Sequence, residues 1–567
     1  MRSVVSVLSL TTEQEWDALS AAIGGASENP LMKLLLERLR EAGVQSCIIE
    51  PTYIDRDFSA AFSAFYSTLF RPYQKYCSRL NFFTEDLGFI RALGDPLEVA
   101  LALEERAVSY TGFVVLRPLL HAPISAAYLS VEALRPADNQ EISVRAKRTV
   151  HVLGTALDVT SFPLTQQDTR VGACAQASIW MAGRHFHHKH GAAWYSMPDI
   201  TANALKPTDS AITRSLPAGS DYLTTDNMVR ALRGMGRHPV FYAPHLSNGQ
   251  TVWGFRPKDI ISRYVDSGIP VIVGVQKAGT AIGHAVVAVG YERRREPDLS
   301  KLSEQPTQAE FLSHFLVSDD QRGAYCRLPV SQGDGAGEYE FCLERDLQFL
   351  LVPLPSKVFM TAEIAEAIAW DLLSQVTQQR HPLGGSLLQP EQISGWNPNP
   401  TFYQVAEGKR LVARTYLTYG WRYKARMLRN SVSAQLKREL LNRDFPRYVW
   451  VTEFSLPDEA ASVDPCQRLV RAHVVNDATG SRFWESTLVL DAPGLLFLWS
   501  FDPKVPADRA QQVVHALNDE GAYFPKIRGM DDFVSCLAPA SSAHTEAVGS
   551  ALAASGTPKS SASLDVP

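Results

Sequence analysis

Long apolar runs and paired cysteines are both missing from this sequence. Nowhere do eighteen apolar residues follow one another, which argues against a membrane-spanning helix. The short apolar start is followed by Glu13, Glu15 and Asp17 before any small-residue cleavage site, so we expect no secretory signal. The seven cysteines show no paired spacing, which is untypical of a disulfide framework. We therefore predict a cytoplasmic protein with no membrane partner.

An excess of charge of one sign is missing as well. The 567 residues include 55 lysines and arginines and 60 aspartates and glutamates, which gives a formal net charge of −5. Such a balance creates no general attraction to nucleic acid. No repeat of fixed period occurs, which argues against a solenoid.

The pattern along the chain predicts an α+β protein in four parts. Residues 1–150 alternate helical and extended patterns, as expected for an α/β scaffold or recognition domain. Residues 151–350 contain the chemically informative motifs, and residues 351–536 indicate a further α/β domain with a basic helix. Residues 537–567 have few large apolar side chains, so we expect a disordered tail that cannot offset its ordering entropy.

The most informative residue of the central part is Cys174. Residues 169–172 are poor helix formers and residues 175–182 are good ones, so the thiol is predicted to lie in the first turn of a helix. The unpaired N–H groups and the dipole of a helix N-terminus favour a thiolate, which is the nucleophilic form of cysteine. Cys174 is therefore our candidate nucleophile, although a lone buried cysteine is more often a small core residue.

A histidine and an aspartate further along complete a candidate triad. His284 opens an apolar strand that follows a buried strand and a short glycine-containing loop, which predicts a position at a sheet edge. Asp319 directly ends another apolar run and is the candidate to orient the imidazole, with the adjacent Asp320 as the alternative. Each residue alone is more typical of a structural role. Their order along the chain is what indicates a nucleophile, a base and an orienting group.

These motifs, together with a helix-then-strand pattern over residues 261–275, resemble those of papain-like cysteine peptidases, most closely of the bacteriocin-processing-peptidase-like branch. The resemblance covers about residues 160–330. In that family a thiolate attacks a carbonyl, a histidine transfers the proton, an aspartate after a strand is the third member and an upstream glutamine donates to the oxyanion. The resemblance implies a papain-like central fold and assigns these roles to Cys174, His284, Asp319 and Gln167.

The chain departs from the family pattern around the nucleophile. Gly-Pro commonly follows the family's cysteine, whereas this chain has Ala175 and Gln176 there. The family's glutamine usually lies six positions before the cysteine, where this chain has Asp168, and Gln167 lies seven before. Gln176 is therefore an alternative oxyanion donor. Between histidine and aspartate, residues 292–308 are polar and poorly periodic, and we predict a surface excursion there.

Residues 185–190 contain four histidines and suggest a metal site at first sight. A helical zinc site of the common type needs two histidines at i and i+4 with a glutamate between them, and no such glutamate is present. Gly183 and Gly191 bracket the run, so we predict that it ends the nucleophile's helix, where histidines suit the negative end of the dipole. We expect no metal and no cofactor.

Residues 409–447 carry eleven lysines and arginines against only Glu439 and Asp444, with aromatic residues interleaved at the start. Such a stretch can track a polyanion. More often it is the solvated face of a long helix whose inward-facing residues are here Met427, Leu428, Leu436, Leu440 and Leu441. We therefore do not expect nucleic acid to be a partner.

Two classes of function stay open. The first is a cysteine peptidase or isopeptidase that cleaves a C–N bond of a protein or peptide through a thioester acyl-enzyme, and a transamidase would use the same triad. The second is an inactive papain-like scaffold or binding protein that contacts nucleic acid through residues 409–447. The order of the triad residues favours the first class, and neither the substrate nor the oligomeric state follows from the sequence.

Overall fold

A computed structural model describes residues 5–93, 95–134, 137–168, 173–206, 223–248, 250–280, 283–335, 339–378, 400–429, 434–465, 467–480, 485–493, 495–499 and 513–516. The chain divides into two compact units, Met1–Asp532 and Phe533–Pro567, and every described residue lies in the first. The tail predicted at residues 537–567 lies outside the described residues. Helices and strands are mixed along the first unit, in agreement with an α+β protein. None of the described helices is long and apolar enough to cross a membrane.

The N-terminal part is an antiparallel sheet with helices packed on it. Its elements are β1 (Ser6–Ser9), α1 (Glu13–Ile23), α2 (Pro30–Glu41), β2 (Ser46–Tyr53), α3 (Arg56–Ala64), β3 (Cys77–Phe83), α4 (Pro96–Glu105), β4 (Tyr110–Leu116) and β5 (Ile124–Leu129). The strands lie in the order β1-β2-β3-β4-β5. The spacing of Leu31, Leu34, Leu35 and Leu39 predicts one apolar face of α2. Leu31, Leu35 and Leu39 are buried as predicted, whereas Leu34 is 42% exposed.

The central part contains a larger antiparallel sheet. It follows three short strands, β6 (Gln140–Ile142), β7 (Ala146–Val152) and β8 (Thr155–Ser161). Its own elements are α5 (Cys174–His190), α6 (Met197–Ala204), α7 (Thr225–Gly234), β9 (Arg237–Tyr242), β10 (His245–Ser247), β11 (Gln250–Val252), α8 (Pro257–Asp266), β12 (Val271–Val275), β13 (His284–Arg293), β14 (Leu312–Asp319), β15 (Gly323–Pro329), α9 (Leu343–Asp346) and β16 (Leu347–Pro355). The main sheet has the order β15-β14-β13-β12-β16-β9, and β6 also pairs with β13.

The two strands at the middle of this sheet, β12 and β13, are buried along almost their whole length. All residues of β12 and all but the first residue of β13 are buried. A continuous apolar run without alternation is expected where both faces of a strand are covered. Helices α5 and α8 both pack against β13. The sheet is therefore the rigid support of any side chain at its edge.

The C-terminal part is a third antiparallel sheet, joined to the central part through α8. Its elements are α10 (Ala362–Thr377), α11 (Pro400–Glu407), β17 (Val412–Tyr419), α12 (Gly420–Arg429), α13 (Ala434–Asn442), β18 (Tyr448–Ser455), α14 (Pro457–Ala461), β19 (Ala472–Asp477), β20 (Thr487–Ala492), β21 (Leu495–Leu498) and β22 (Val513–Ala516). The strands follow one another in the order β17-β18-β19-β20-β21-β22. Helix α8 packs against both α10 and β17.

Buried ion pairs connect α8 to the C-terminal sheet. Arg263 on α8 pairs with Glu366 on α10, and both side chains are about nine-tenths buried. Arg414 on β17 reaches Asp266 at 2.9 Å and Glu453 at 3.0 Å. Removing one partner of such a buried pair leaves an uncompensated charge and costs about 3–5 kcal/mol. The borders of the four predicted domains stay predictions, and these pairs show close contact across the border at residue 350.

The basic stretch at residues 409–447 differs from the long helix that we expected. It contains strand β17 and then helices α12 and α13, and Lys424 Nζ donates to the carbonyl oxygen of Leu441 at 3.0 Å. Two residues seventeen positions apart in one straight helix would lie about 25 Å apart, so the two helices lie side by side. Met427 and Leu440 are buried as expected, whereas Leu428 is 47% exposed and Leu441 is 41% exposed.

The prediction that residues 292–308 form a surface excursion is wrong at both ends of this range. Strand β13 continues to Arg293, which is 1% exposed and donates to the carbonyl oxygen of Ala460. At the other end, Thr307 is buried and forms a β-bridge with Ala413. Polar residues that are buried by a distant part of the chain do not follow the regular alternation of a strand with one solvated face. The sequence pattern therefore did not reveal the contacts of Arg293 and Thr307.

Candidate active site

Cys174 is the first residue of helix α5. The preceding residue, Ala173, has an extended backbone and no side chain that could cap the helix. The backbone N–H of Ala173 donates to Gln176 Oε1 at 3.1 Å. The N–H groups of the first turn have no partner within the helix, because the hydrogen-bond ladder begins with the N–H of Ala177. The thiol is partly exposed. It therefore lies among backbone donors that can stabilise a negative charge.

One hydrogen bond fixes this helix to the strand that carries His284. Ser178 lies one turn after Cys174, and its Oγ donates to the carbonyl oxygen of Ala285 at 2.9 Å. Residues four positions apart lie on the same face of a helix, so Ser178 and Cys174 both face β13. Because Ala285 directly follows His284, the contact brings the thiol to the start of β13.

His284 and Asp319 meet because their strands are antiparallel neighbours. His284 begins β13, Asp319 ends β14, and the two strands pair with Val287 opposite Ser318. In an antiparallel pair, the start of one strand lies beside the end of the other. The imidazole Nε2 lies 3.0 Å from Asp319 Oδ1. The structure thus brings together the histidine and the aspartate that the sequence places 35 residues apart.

Further contacts hold this pair in place. The hydroxyl of Tyr339 donates to Asp319 Oδ2, and the backbone N–H of Gln321 donates to Asp319 Oδ1 at 2.8 Å. The ring of Phe341 stacks on the imidazole with a centroid distance of 6.2 Å and an interplanar angle of 22°. Both oxygens of the carboxylate and one face of the imidazole are therefore occupied, which fixes the orientation of the ring.

The electrostatics favour a charged pair. Burial alone would lower the pKa of His284, but hydrogen bonds with Asp319 and Cys174 and the negative charge of Asp319 raise this pKa to about 11. Burial would raise the pKa of Asp319, yet its hydrogen bond with His284 and the imidazolium charge lower it below its usual value. Since Nε2 is engaged by Asp319, Nδ1 is the ring nitrogen left for the thiol. Tautomer and ring orientation are thereby set.

Asp320 lies next to the pair without joining it. Its carboxylate is fully buried, its Oδ1 is 3.8 Å from His284 Nε2, and neither oxygen has a side-chain hydrogen-bond partner among the described residues. Burial raises the pKa of Asp320 to about 7, and the charge of Asp319 acts in the same direction while that of His284 opposes it. The shorter contact and the supporting donors make Asp319 the orienting carboxylate that the geometry favours.

The two candidate oxyanion donors have different surroundings. The backbone N–H of Gln167 faces the carboxylate of Asp320, which puts this residue beside the His284 cluster. Its neighbours Gln166 and Asp168 are engaged by Asn29 and Tyr66 in the N-terminal part. Gln176 is buried, and its Oε1 accepts from the N-cap of its own helix. Gln167 lines a separate cavity with Asp57 and Trp180, and no described contact places the side chain of either glutamine at the thiol, so the oxyanion role of each stays a prediction.

Residues 159–298 match the Peptidase_C39 like family. The matched segment contains Cys174 and His284 and ends before Asp319. It confirms the resemblance of the central region to papain-like cysteine peptidases, which the sequence motifs suggested. No curated protein matches the chain.

The histidine run lies at the end of α5 in this peptidase-like region, as predicted. His185 donates to the carbonyl oxygen of Gly268 at 3.1 Å, and His190 Nδ1 is 3.1 Å from the hydroxyl of Tyr419. Burial lowers the pKa of His188 and of His190 to about 3, so both are neutral. The rings of His185 and His190 contact each other, as do those of His187 and His188, but the ligand atoms of three of these residues do not come together in the part of the chain that the structure describes.

The described residues do contain one set with metal-ligand geometry, and it coincides with the candidate triad. One ligand atom from each of His284, Asp319 and Asp320 lies within 4.8 Å of the other two. His284 Nε2 and Asp319 Oδ1 already bond each other, and Asp319 Oδ2 is taken by Tyr339. A metal ion would have to break these bonds, so a hydrogen-bonded triad fits the cluster better.

Several residues at this site carry no signal in the sequence. Tyr339 and Phe341 reach His284 and Asp319 from a segment between β15 and α9 that has no recognisable motif. Phe349 on β16 lies in the neighbouring cavity. The pairing of β16 with β12 places Phe349, and the connection between β15 and α9 places the other two. An alternation of Tyr and Phe alone would more often indicate a buried strand.

Proposed function

We propose that the protein is a cysteine peptidase or isopeptidase that cleaves a C–N bond through a thioester intermediate. The observation that carries this proposal is the position of the His284 imidazole. Its Nε2 lies 3.0 Å from Asp319 Oδ1, and the ring lies close enough to the Cys174 thiol, at the N-terminus of α5, for that thiol to help raise the pKa of His284. A nucleophile, its base and a group that orients the base are the three components of such a site.

The proposed reaction begins with the Cys174 thiolate, which attacks the substrate carbonyl carbon and forms a C–S bond. The carbonyl electrons move onto oxygen, and the backbone N–H groups of the first turn of α5 and the Gln167 amide stabilise the oxyanion. Collapse of this intermediate breaks the C–N bond, and the proton of His284 Nδ1 passes to the leaving amine. Water, deprotonated by His284, then attacks the thioester and releases the acid and the thiolate. An amine in place of water would give transamidation.

The scaffold alternative has less support from the described contacts. Arg414 and Arg426 belong to the basic stretch, yet both pair with Glu453 inside the protein. Arg426 is 6% exposed in its side chain. Arginines held in buried pairs do not contribute to a polyanion surface. A hydrolase is therefore the function that the geometry supports best.

The proposal is tested by the reaction of Cys174 with iodoacetamide, located by mass spectrometry. A free thiol with a pKa of about 8.5 is only about 0.3% ionised at about pH 6. We expect Cys174 of the wild type to react rapidly at this pH, because the pKa of His284 is raised to about 11 and the imidazolium favours the thiolate. The variant His284→Ala should react about a hundredfold more slowly.

Two controls accompany this measurement. The variant His151→Ala removes an exposed histidine on β7 and should leave the rate unchanged. Cys326, which is also partly exposed, serves as an internal reference thiol in every sample. Equal rates for the wild type and His284→Ala at about pH 6 would contradict the proposed pair.

The role of Gln167 is tested with a peptide aldehyde that ends in leucine. Such an aldehyde adds reversibly to a thiol and forms the same kind of oxyanion as the substrate. The variant Gln167→Ala should weaken this inhibitor about a hundredfold, since one lost oxyanion donor costs about 10²–10³ in rate. Alkylation by iodoacetamide forms no oxyanion and reports whether the thiol and imidazole stay paired. Unchanged inhibition would assign the oxyanion to backbone N–H groups or to Gln176.

A further inference from the structure

Arg293 is a buried cation that pairs with no carboxylate of the described residues. It is the last residue of β13 and is 1% exposed. Its Nη2 donates to the carbonyl oxygen of Ala460 on α14, and the centroid of the Phe311 ring lies 5.5 Å from the guanidinium carbon. Neither Nε nor Nη1 has a hydrogen-bond partner among the described residues. Buried cations are normally paired with an anion, because their transfer out of water is very costly.

The guanidinium of Arg293 keeps its charge at neutral pH. Burial and the positive charge of Arg468 lower the pKa of Arg293 to about 10, which is still well above neutrality. Tyr291, Glu141 and Asp266 act in the opposite direction and raise this pKa. Loss of the proton therefore does not remove the buried charge.

The carboxylates of this region are already engaged by other arginines. Three carboxylates pair with three arginines here: Glu141 with Arg468, Asp266 with Arg414, and Glu453 with both Arg414 and Arg426. Arg293 is a fourth arginine, so four positive charges face three negative ones in this part of the described structure. One positive charge is therefore in excess where the end of β13 meets the C-terminal part.

A small cavity lies next to these arginines. Its volume is about 40 Å³, and its wall includes Arg468 and Ala460, the residue whose carbonyl oxygen accepts from Arg293. The Nε of Arg468 is buried and has no hydrogen-bond partner among the described residues. Glu141 and Glu453 also line the cavity, each bonded to an arginine. Such a volume holds a single water-sized ion but no larger molecule, and the Arg468 side chain, 12% exposed, connects it with solvent.

We propose that a monovalent anion of the size of chloride binds at this cavity, between the side chains of Arg293 and Arg468. The N–H groups of Nε and Nη1 of Arg293 and of Nε of Arg468 donate to it, and hydrogen bonds between charged groups are the strong ones. The anion offsets the excess positive charge and joins the end of β13 to the segment before β19. This inference does not rest on the proposed function, because Arg293 lies about 30 Å from His284, at the opposite end of β13.

The test compares the melting temperature of the full chain in sodium chloride and in sodium gluconate at the same ionic strength. Gluconate is too large for the cavity, and equal ionic strength keeps the general screening of charges constant. An ion that binds only the folded protein raises the melting temperature. For the wild type, we expect replacement of gluconate by about 0.2 M chloride to raise the melting temperature by at least about 2 °C more than it does for a variant without the site.

Two variants locate the effect. Arg293→Met removes the charge but keeps a long unbranched side chain, and it should lose the additional rise in chloride. Arg295→Met is the matched control, since Arg295 is the second residue after Arg293 and its side chain is 60% exposed. This control should keep the full rise. General effects of the two salts act alike on all three proteins, so an equal rise in the wild type and in Arg293→Met would overturn the proposed site.

A second measurement uses only the wild type and does not depend on the folding of Arg293→Met. Bromide has the charge of chloride, is only slightly larger and scatters X-rays anomalously. In crystals grown with sodium bromide, we expect an anomalous difference peak in contact with the side-chain nitrogens of Arg293 and Arg468. Electron density without an anomalous signal at this position would identify a water molecule and overturn the proposal. An ordered Arg293 with no density beside it would overturn the proposal as well.

Discussion

Replacing Cys174 by alanine is expected to lower the turnover of a fluorogenic peptide amide by about a millionfold, to the background rate. Loss of the nucleophile of a hydrolase triad has an effect of this size because no other group can form the covalent intermediate. A library of such amides with apolar residues before the bond, assayed by fluorescence at neutral pH, provides the measurement. Cys174 is partly exposed at a helix start, so the substitution should leave the melting temperature almost unchanged.

Cys326→Ala is the matched control for this substitution. Cys326 is also a partly exposed thiol, on β15, and its loss removes a cysteine without touching the candidate triad. Full activity in Cys326→Ala together with none in Cys174→Ala would assign the nucleophile. Retained turnover in a correctly folded Cys174→Ala variant would rule this assignment out.

The second large effect is expected for Asp319→Asn, which should reduce turnover about ten-thousandfold. An amide has the shape of the carboxylate but cannot accept from both His284 and Tyr339, so the imidazole loses its orientation and its partner charge. Asp319 also helps to raise the pKa of His284. Activity that needs the His284 proton should therefore be lost at a lower pH in the variant than in the wild type. The pH profile of turnover measures this shift.

Asp320→Asn provides the comparison for Asp319→Asn. It changes an equally buried neighbour whose oxygen lies 3.8 Å from His284 Nε2, against 3.0 Å for Asp319. We expect a loss of less than about tenfold, because Asp320 makes no hydrogen bond to the imidazole. A larger loss for Asp320→Asn than for Asp319→Asn would make Asp320 the orienting carboxylate. The denaturation midpoint of each variant shows whether folding contributes to the result.

The sequence was informative where a chemical group stands at the end of a strongly patterned element. Cys174 precedes an apolar helix, and His284 and Asp319 flank apolar strands, so their surroundings could be expected from the pattern alone. The match of residues 159–298 to a peptidase family confirms the resemblance that these motifs suggested. The assignment of roles to individual side chains stays a prediction until the variants are measured.

The sequence was less informative where a contact depends on strand pairing between distant segments. Phe349 lines the cavity because β16 pairs with β12, and residues 276–346 lie between the two strands along the chain. Strand β17 within the basic stretch was missed for the same reason. Arg414 of this strand is a charged residue that is buried in ion pairs. The composition therefore suggested a solvated helix, whereas the segment pairs with β18 and forms a strand.

The ion pairs that α8 and β6 form with the C-terminal part have a consequence for the synthesis of the protein. Asp266 leaves the ribosome 148 residues before its partner Arg414, and Glu141 leaves 327 residues before Arg468. At about 5–20 residues per second, these intervals last roughly 7–30 s and 16–65 s. During that time the carboxylates lack these two arginines, and water must remain at the surface that the last sheet later covers. The nascent peptidase-like region therefore stays partly hydrated until the C-terminal part has been synthesised. Only then can its helices and sheet close into a dry core.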